Sequence, residues 1–147
     1  PAAAGRERGY RTALEAAGIP VKEEWISAKS GDAQGGRAAG REILGRKDRP
    51  TAIFCFNDEM AMGVYQAAND LGLSIPDDLS VIGVDDLQLI TQALVPNLTT
   101  IALPHYQMGH WAVSQLFAQA TAKSDVRTAE LLRCQLVQRD SVSAPKR

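Results

Sequence analysis

The sequence predicts an α/β fold, a Rossmann-like lobe with a parallel sheet, and two kinds of segment carry that prediction. Continuous apolar runs over residues 51–56 and 79–84 suit strands that are buried on both faces. Between them, residues 58–71 repeat apolar side chains at the spacing of an amphipathic helix, which Gly72 would end. Strands that alternate with helices through short connections indicate βαβ units.

The other elements follow from periodicity and from helix-ending residues. The first helix should end before Gly18, and Ser30 or Asp32 could cap the second. In chain order we expect a helix over 6–17, a short strand over 21–26, a helix from about 32 to 44, an extended segment over 97–101, a helix over about 105–120, a strand over about 131–137, and a mobile polar tail over 141–147.

Composition excludes several classes of function. The net charge of −1, from 16 basic and 17 acidic residues, gives no electrostatic footprint for nucleic acid. No apolar run approaches the roughly 18 residues of a membrane span, and no signal peptide opens the chain, so we expect a cytoplasmic protein. Cys55 and Cys134 read as free thiols without metal spacing, and no cofactor motif is present.

Catalytic motifs are also missing. The sequence contains no G-x-S-x-G, no G-x-x-x-x-G-K-[ST], no H-E-x-x-H and no C-x-x-C. His105 and His110 are five residues apart, which is the wrong separation for one helix face. We therefore expect a protein that is not an enzyme and that carries no metal.

Polar side chains follow both predicted central strands at the point where each strand ends. Asn57-Asp58 comes after the first run and Asp85-Asp86 after the second. Ligands of open α/β sheets bind outside the carboxyl ends of the strands, so this edge predicts a small-molecule cleft. Asp85 could accept hydrogen bonds from adjacent hydroxyls of a ligand, or it could simply hold the turn. Asp58 is more simply a helix N-cap.

Five sequence blocks in order resemble the LacI/GalR family of bacterial transcriptional regulators. They are R-x-x-G-Y-R-T-A-L-E-A-A-G-I from Arg6, S-A-K-S-G from Ser27, N-D-E-M-A-M-G from Asn57, I-P-D-D-L-S-V-I-G-V-D-D from Ile75, and P-N-L-T-T-I from Pro96. The resemblance covers nearly the whole chain. It implies a periplasmic-binding-protein-like (type I) domain, in which two α/β lobes clamp a sugar, a nucleoside or a related small molecule.

The resemblance also implies roles for particular residues. Arg6, Asn57 and Asp85 match positions that contact the effector, while Asp86 is expected to support the turn. Ile26 stands where better-known relatives place an aromatic ring that stacks on the ligand, and the aromatic here is Trp25, one residue earlier. A shift of one residue on a strand points a side chain to the opposite face, so Trp25 is predicted to be core. Other family patterns imply dimer contacts at Met62, Leu94 and Val95.

The family pattern further divides the chain. Residues 1–102 would be the C-terminal lobe, and residues 103–140 would cross as a helix and a strand to a first lobe absent from this sequence. The function implied is effector sensing by a homodimeric regulator that reaches DNA only through a separate helix-turn-helix domain, with no membrane partner. The alternatives are an exported solute-binding protein of the same fold and, less favoured, a small α/β enzyme.

Overall fold

The computed structural model describes residues 2–121 and 129–145, and in them helices and strands alternate along the chain. The helices are α1 (Ala2–Ala16), α2 (Ala33–Leu44), α3 (Asp58–Asp70), α4 (Gln88–Thr91) and α5 (His105–Thr121), and the strands are β1 (Ala52–Phe54), β2 (Ser80–Asp85), β3 (Thr99–Ala102) and β4 (Gln135–Val137).

The four strands form one sheet in the order β1-β2-β3-β4. The first three strands are parallel, whereas β4 runs antiparallel to β3. The register aligns Phe54 of β1 with Ile82 of β2, and Asp85 of β2 with Ala102 of β3. A mostly parallel sheet whose strands are connected by helices confirms the predicted α/β class.

The core lies between α2, α3 and the sheet, and glycines let the two helices approach closely. Leu79, Val81 and Leu98 from the sheet side are fully buried. A Cβ atom on Gly36 of α2 would lie 2.1 Å from the backbone oxygen of Met60, and one on Gly63 of α3 would lie 2.1 Å from that of Ala33. Because contacts that short are impossible, only glycine fits at this helix crossing.

The predicted strand over residues 21–26 is wrong. That segment forms one turn of 3₁₀ helix, Glu23–Trp25, with extended residues on both sides. Consequently β1 is the edge strand of the sheet as described, and Ala52 is exposed rather than buried on both faces. Helix α1, which begins before the predicted residue 6, buries none of its residues.

The C-terminal segment differs from the prediction that residues 103–140 leave this lobe and that a mobile tail follows. Strand β4 pairs with β3 of the same sheet. Ser141 is fully buried: its Oγ donates to the Val81 carbonyl at 2.6 Å and accepts from the Thr99 N–H at 2.8 Å. The Ser143 N–H donates to Ser80 Oγ at 3.1 Å. Short strands do not specify their partner by sequence alone, which is why the prediction missed this return.

Helix α5 has no covered face within the described residues. Val113, Leu116 and Phe117 are 51%, 66% and 69% exposed, respectively. None of the described helices combines the length and the apolarity needed to cross a membrane.

Candidate functional site

Strands β1 and β2 carry Asn57 and Asp85 to the same edge of the sheet. The register aligns Phe54, at the end of β1, with Ile82 of β2, and Asn57 and Asp85 each follow that pair by three residues. Both strands run in the same direction, so their carboxyl ends meet at this edge, where ligands of open α/β sheets bind. The edge is therefore the candidate site, as the sequence predicted.

Arg6 of α1 reaches over this edge from the start of the chain. Its Nη2 lies 3.6 Å from Asp85 Oδ1, and its Nη1 donates a hydrogen bond of 2.8 Å to the Phe56 carbonyl. The guanidinium also lies over the Phe56 ring, 4.4 Å from the centroid. The Arg6 and Asp85 side chains are each 23% exposed, so a ligand at the edge can reach both. Together they offer a donor fork beside a pair of acceptor oxygens.

The turn that carries Asp85 has an unusual backbone. Asp85 has a φ of 115° and Asp86 a φ of 58°, in the left-handed region that side chains other than glycine rarely adopt. Arg139, just beyond β4, holds this turn. Its Nη2 lies 2.7 Å from Asp86 Oδ1, and its Nη1 donates to the Leu98 carbonyl at 2.9 Å. Asp86 thus supports the turn, in line with the sequence prediction for that residue.

Asp58 is not the helix cap that the sequence suggested. Asn57 caps α3, accepting the Met60 N–H on Oδ1 at 2.8 Å, whereas Asp58 is fully buried. Its Oδ1 accepts from Thr100 Oγ1 at 2.6 Å and its Oδ2 accepts from the Leu87 N–H at 2.8 Å. Asp58 therefore ties the start of α3 to β3 and to the residue that follows the Asp85-Asp86 turn.

Burial and neighbouring charge change the acidity of Asp58. Loss of solvent raises the pKa of its carboxyl above the ordinary value of 3.8, and the negative charges of Asp85 and Asp86 raise it further. The hydrogen bonds from Thr100 and Leu87 oppose the shift without cancelling it. A Cβ atom at Gly83 would lie 2.2 Å from Asp58 Oδ1, so glycine at that position makes room for the carboxylate.

Asn57 uses its amide group within the local structure. Besides the capping bond on Oδ1, its Nδ2 donates to the Gly31 carbonyl at 2.8 Å and so joins α3 to the loop before α2. An amide carries two lone pairs and two hydrogens. One of each is left for a ligand at the edge.

Ile26 and Trp25 both line one cavity rather than opposite faces of a strand. The cavity has a volume of about 310 Å³, and Arg6, Gly31 and Phe56 line it as well. The prediction that Trp25 belongs to the core is therefore wrong: without a strand at 21–26, alternation between faces does not apply. Phe56, which sequence reasoning missed, is the aromatic ring beside Arg6; its position directly before Asn57 at a strand end was the available signal.

The predicted dimer residues lie in different surroundings. Val95 is 90% exposed, Leu94 packs partly against the core, and Met62 is half-buried on α3. Within the described residues, no group of His, Cys, Asp and Glu side chains could hold a metal ion.

A model of the periplasmic binding protein-like domain family matches residues 1–142 of the chain. Among curated proteins, the HTH-type transcriptional repressor PurR of Yersinia pestis bv. Antiqua (strain Antiqua) is 43% identical over 140 residues, which make up 95% of this chain and 40% of that protein. The chain thus spans about two fifths of the length of the curated relatives it matches.

Solved structures agree with this assignment. A regulatory protein of the LacI family from Chloroflexus aggregans superposes with a TM-score of 0.86 at 33% identity, over 94% of this chain and 50% of that one. A LacI family transcriptional regulator from Enterococcus faecium with bound ribose gives a TM-score of 0.82 at 29% identity, over 94% of this chain and 51% of that one. The chain belongs to the periplasmic binding protein-like domain family, and within it to the effector-binding domains of LacI/GalR type.

Proposed function

We propose that this chain is the effector-sensing part of a transcriptional regulator and that it binds a hydroxyl-bearing small molecule at the edge formed by β1 and β2. The observation that carries the proposal is the Arg6–Asp85 pair, with 3.6 Å between Nη2 and Oδ1. These residues are far apart along the chain, in α1 and at the end of β2, yet their side chains meet; both remain partly exposed, and both lie where α/β sheets bind ligands.

Hydroxyl groups suit this pair because each hydroxyl both donates and accepts. An Asp85 oxygen can accept one hydroxyl proton while the Arg6 guanidinium donates to the oxygen of the same or a neighbouring hydroxyl. The ribose bound to the Enterococcus faecium regulator is a ligand of this chemical kind. We therefore include sugars and polyols as the first effector class to test.

The regulatory step would be a change in the population of lobe arrangements. An effector that binds one arrangement more tightly shifts the equilibrium toward it, by no more than its differential affinity. DNA binding would reside in a helix-turn-helix domain outside this sequence, which would place the regulator in the cytoplasm. Such a regulator would act as a homodimer, and exposed Val95 is the residue among the three predicted contacts most available to a partner.

A thermal-shift screen of sugars, polyols and nucleosides, beginning with D-ribose, would identify binders of this chain. A ligand that binds only the folded state raises the melting temperature, by an amount that grows with the logarithm of the ratio of ligand concentration to Kd. Arg6→Ala should remove the shift, whereas Arg8→Ala, two residues away on the same helix, should retain it. If Arg8 proves to be the sensitive position, the assignment of Arg6 to the site is wrong.

The regulatory part of the proposal needs the longer protein. A gel-shift assay with operator DNA should show an effect of the same hit compound on DNA affinity, in either direction. A compound that binds this lobe without changing operator affinity would argue instead for a solute-binding role.

A further inference from the structure

We infer that Arg139 is a positioning residue for the effector site: through Asp86, it fixes the backbone turn that directs the Asp85 carboxylate toward Arg6. The inference rests on the proposed function and deepens it, because it concerns what prepares that same site for a ligand. Three observations carry it: the left-handed backbone of the turn, the contacts of the Arg139 guanidinium, and a separate hydrogen bond that anchors the Arg139 backbone.

The turn holds a conformation that its own residues disfavour. Asp85 and Asp86 both have a positive φ, of 115° and 58° respectively. Side chains other than glycine occupy this region at a cost in free energy, and they stay there only where the surrounding structure holds them. The two residues share one rigid peptide plane, so a contact that holds Asp86 also decides where the Asp85 side chain points.

The two neighbours of Asp86 are anchored through their backbones. Asp85 pairs with Ala102 in the parallel ladder of β2 and β3, and the Leu87 N–H donates to the buried Asp58. Asp86, between them, is held through its carboxylate, whose Oδ1 lies 2.7 Å from an Nη2 of arginine. That arginine is Arg139, and the two side chains are only 15% (Arg139) and 19% (Asp86) exposed. A charged hydrogen bond shielded in this way is strong enough to hold the middle of the turn.

The shape of the guanidinium group explains how Arg139 does this. Its Nη1 donates to the Leu98 carbonyl at 2.9 Å, while its Nη2 meets Asp86. Leu98 is fully buried directly before β3 and is therefore a fixed point of the sheet. A planar fork of donors can meet both acceptors at once, whereas a lysine ammonium is a point charge on a flexible stem.

Charge gives a second reason why Asp86 needs this partner. Asp58, Asp85 and Asp86 bring three carboxyl groups together, and the negative charges of the last two oppose ionisation of the first. Arg6 lies beside Asp85, and Arg139 pairs with Asp86. Without the Arg139 guanidinium, an unpaired Asp86 would be repelled by its acidic neighbours and would turn toward water. The left-handed turn would then relax, and Asp85 would move with it.

The Arg139 side chain can be removed without loosening the segment that carries it. Its backbone N–H donates to Thr99 Oγ1 at 2.9 Å, a bond that does not involve the guanidinium. Two residues further on, Ser141 Oγ binds Val81 and Thr99 rather than the turn. Arg139→Gln therefore removes the contact with the turn, whereas Ser141→Ala loosens the same segment without touching the turn. The two variants separate positioning from stability.

The first test needs no ligand. A positive φ shortens the distance between a residue's own amide and α protons, so the nuclear Overhauser effect between them reports the turn in ¹⁵N-labelled protein. The effect at Asp86 should be strong in the wild type and in Ser141→Ala, and weaker in Arg139→Gln. Arg139→Lys, which keeps the charge but not the fork, should lie between. A wild-type effect at Asp86 in folded Arg139→Gln would overturn the inference.

The second test uses D-ribose as the binding probe, with Kd measured by titration calorimetry. Arg139→Gln should raise Kd at least about tenfold, whereas Ser141→Ala should leave it unchanged. In an Asp86→Asn background, Arg139→Gln should have no further effect on Kd, because no carboxylate is then left for the arginine to hold. An equal loss of affinity in Arg139→Gln and Ser141→Ala would reduce Arg139 to a stabilising residue and overturn the inference.

Failure of this inference is distinguishable from failure of the proposed function. If D-ribose does not bind the wild type, the proposed function loses its first candidate ligand, and the Overhauser effect at Asp86 alone decides whether Arg139 holds the turn. If D-ribose binds the wild type but not Asp85→Ala, and binds Arg139→Gln as tightly as the wild type, the proposed function stands and the inference is wrong.

Discussion

Asp58→Asn tests whether a buried carboxylate organises the effector turn. An asparagine oxygen can still accept from Thr100 Oγ1, but its amide nitrogen would then face the Leu87 N–H, donor against donor. The variant loses a hydrogen bond to a charged group, worth about 1.5–3 kcal/mol. The cost should fall near the lower end at neutral pH, because ionised Asp58 is itself disfavoured by burial and by Asp85 and Asp86.

Acid should increase the difference between the wild type and this variant. The pKa of Asp58 is higher in the folded chain than its ordinary value of 3.8, so the folded state binds its proton more readily than the unfolded state does. The stability contributed by that proton is fully present below the unfolded pKa and is lost as pH rises through the folded pKa. Asparagine has no such proton. The difference in the free energy of unfolding between wild type and variant should therefore be larger between those two pKa values than at pH 7.

Urea unfolding at pH 7 and at several values down to pH 4 measures both effects. Asp140→Asn, at an exposed carboxylate, is the control and should change the free energy of unfolding by no more than about 0.5 kcal/mol. A difference between wild type and Asp58→Asn that shrinks on acidification, or a variant as stable as wild type at every pH, would refute this account of Asp58.

Three further perturbations follow from the packing. Gly36→Ala should lower the free energy of unfolding, measured with urea, by at least about 1–3 kcal/mol, because its Cβ would meet the Met60 carbonyl. Gly9→Ala, with open space around it, should not lower it, and equal effects of the two substitutions would refute the close helix crossing. Arg139→Ala should lower the free energy of unfolding by about 1.5–3 kcal/mol in the same measurement. An effect no larger than that of Arg133→Ala, at an exposed arginine, would contradict the role of Arg139 in the turn. Light scattering should find this chain associated through α5, where Phe117 is 69% exposed, and Phe117→Glu should reduce the association; a monomer at all concentrations would contradict this.

Local patterns were enough to predict the parallel sheet and the edge at which the candidate site lies. The position of Asp85 followed from where an apolar run ends, a property of a few neighbouring residues. The surroundings of Asp58 did not follow, because its partners Leu87 and Thr100 are 29 and 42 residues away along the chain. Arg139 reaches Asp86 across 53 residues, and nothing in its own neighbourhood indicates that contact.

The wrong strand at 21–26 and the missed partner of the strand at Gln135–Val137 have a related cause. Residues 21–26 and 131–137 are both short segments whose conformation depends on a neighbouring strand. In the structure, β3 accepts the strand Gln135–Val137, whereas β1 accepts no strand at its outer edge in the sheet as described. Trp25 and the β1 residues Ala52 and Phe54 line one cavity, which strand alternation did not predict.

The central claim is that a small molecule binds to the side chains of Arg6 and Asp85 at the carboxyl edge of the sheet. Titration calorimetry with the strongest hit of the thermal-shift screen, on wild type and on Asp85→Ala, tests it most directly. Losing a hydrogen bond to a charged group should weaken binding by about 1.5–3 kcal/mol, or roughly tenfold to over a hundredfold, with the circular dichroism spectrum unchanged. Equal affinities for the wild type and the variant would contradict the claim and remove Asp85 from the site.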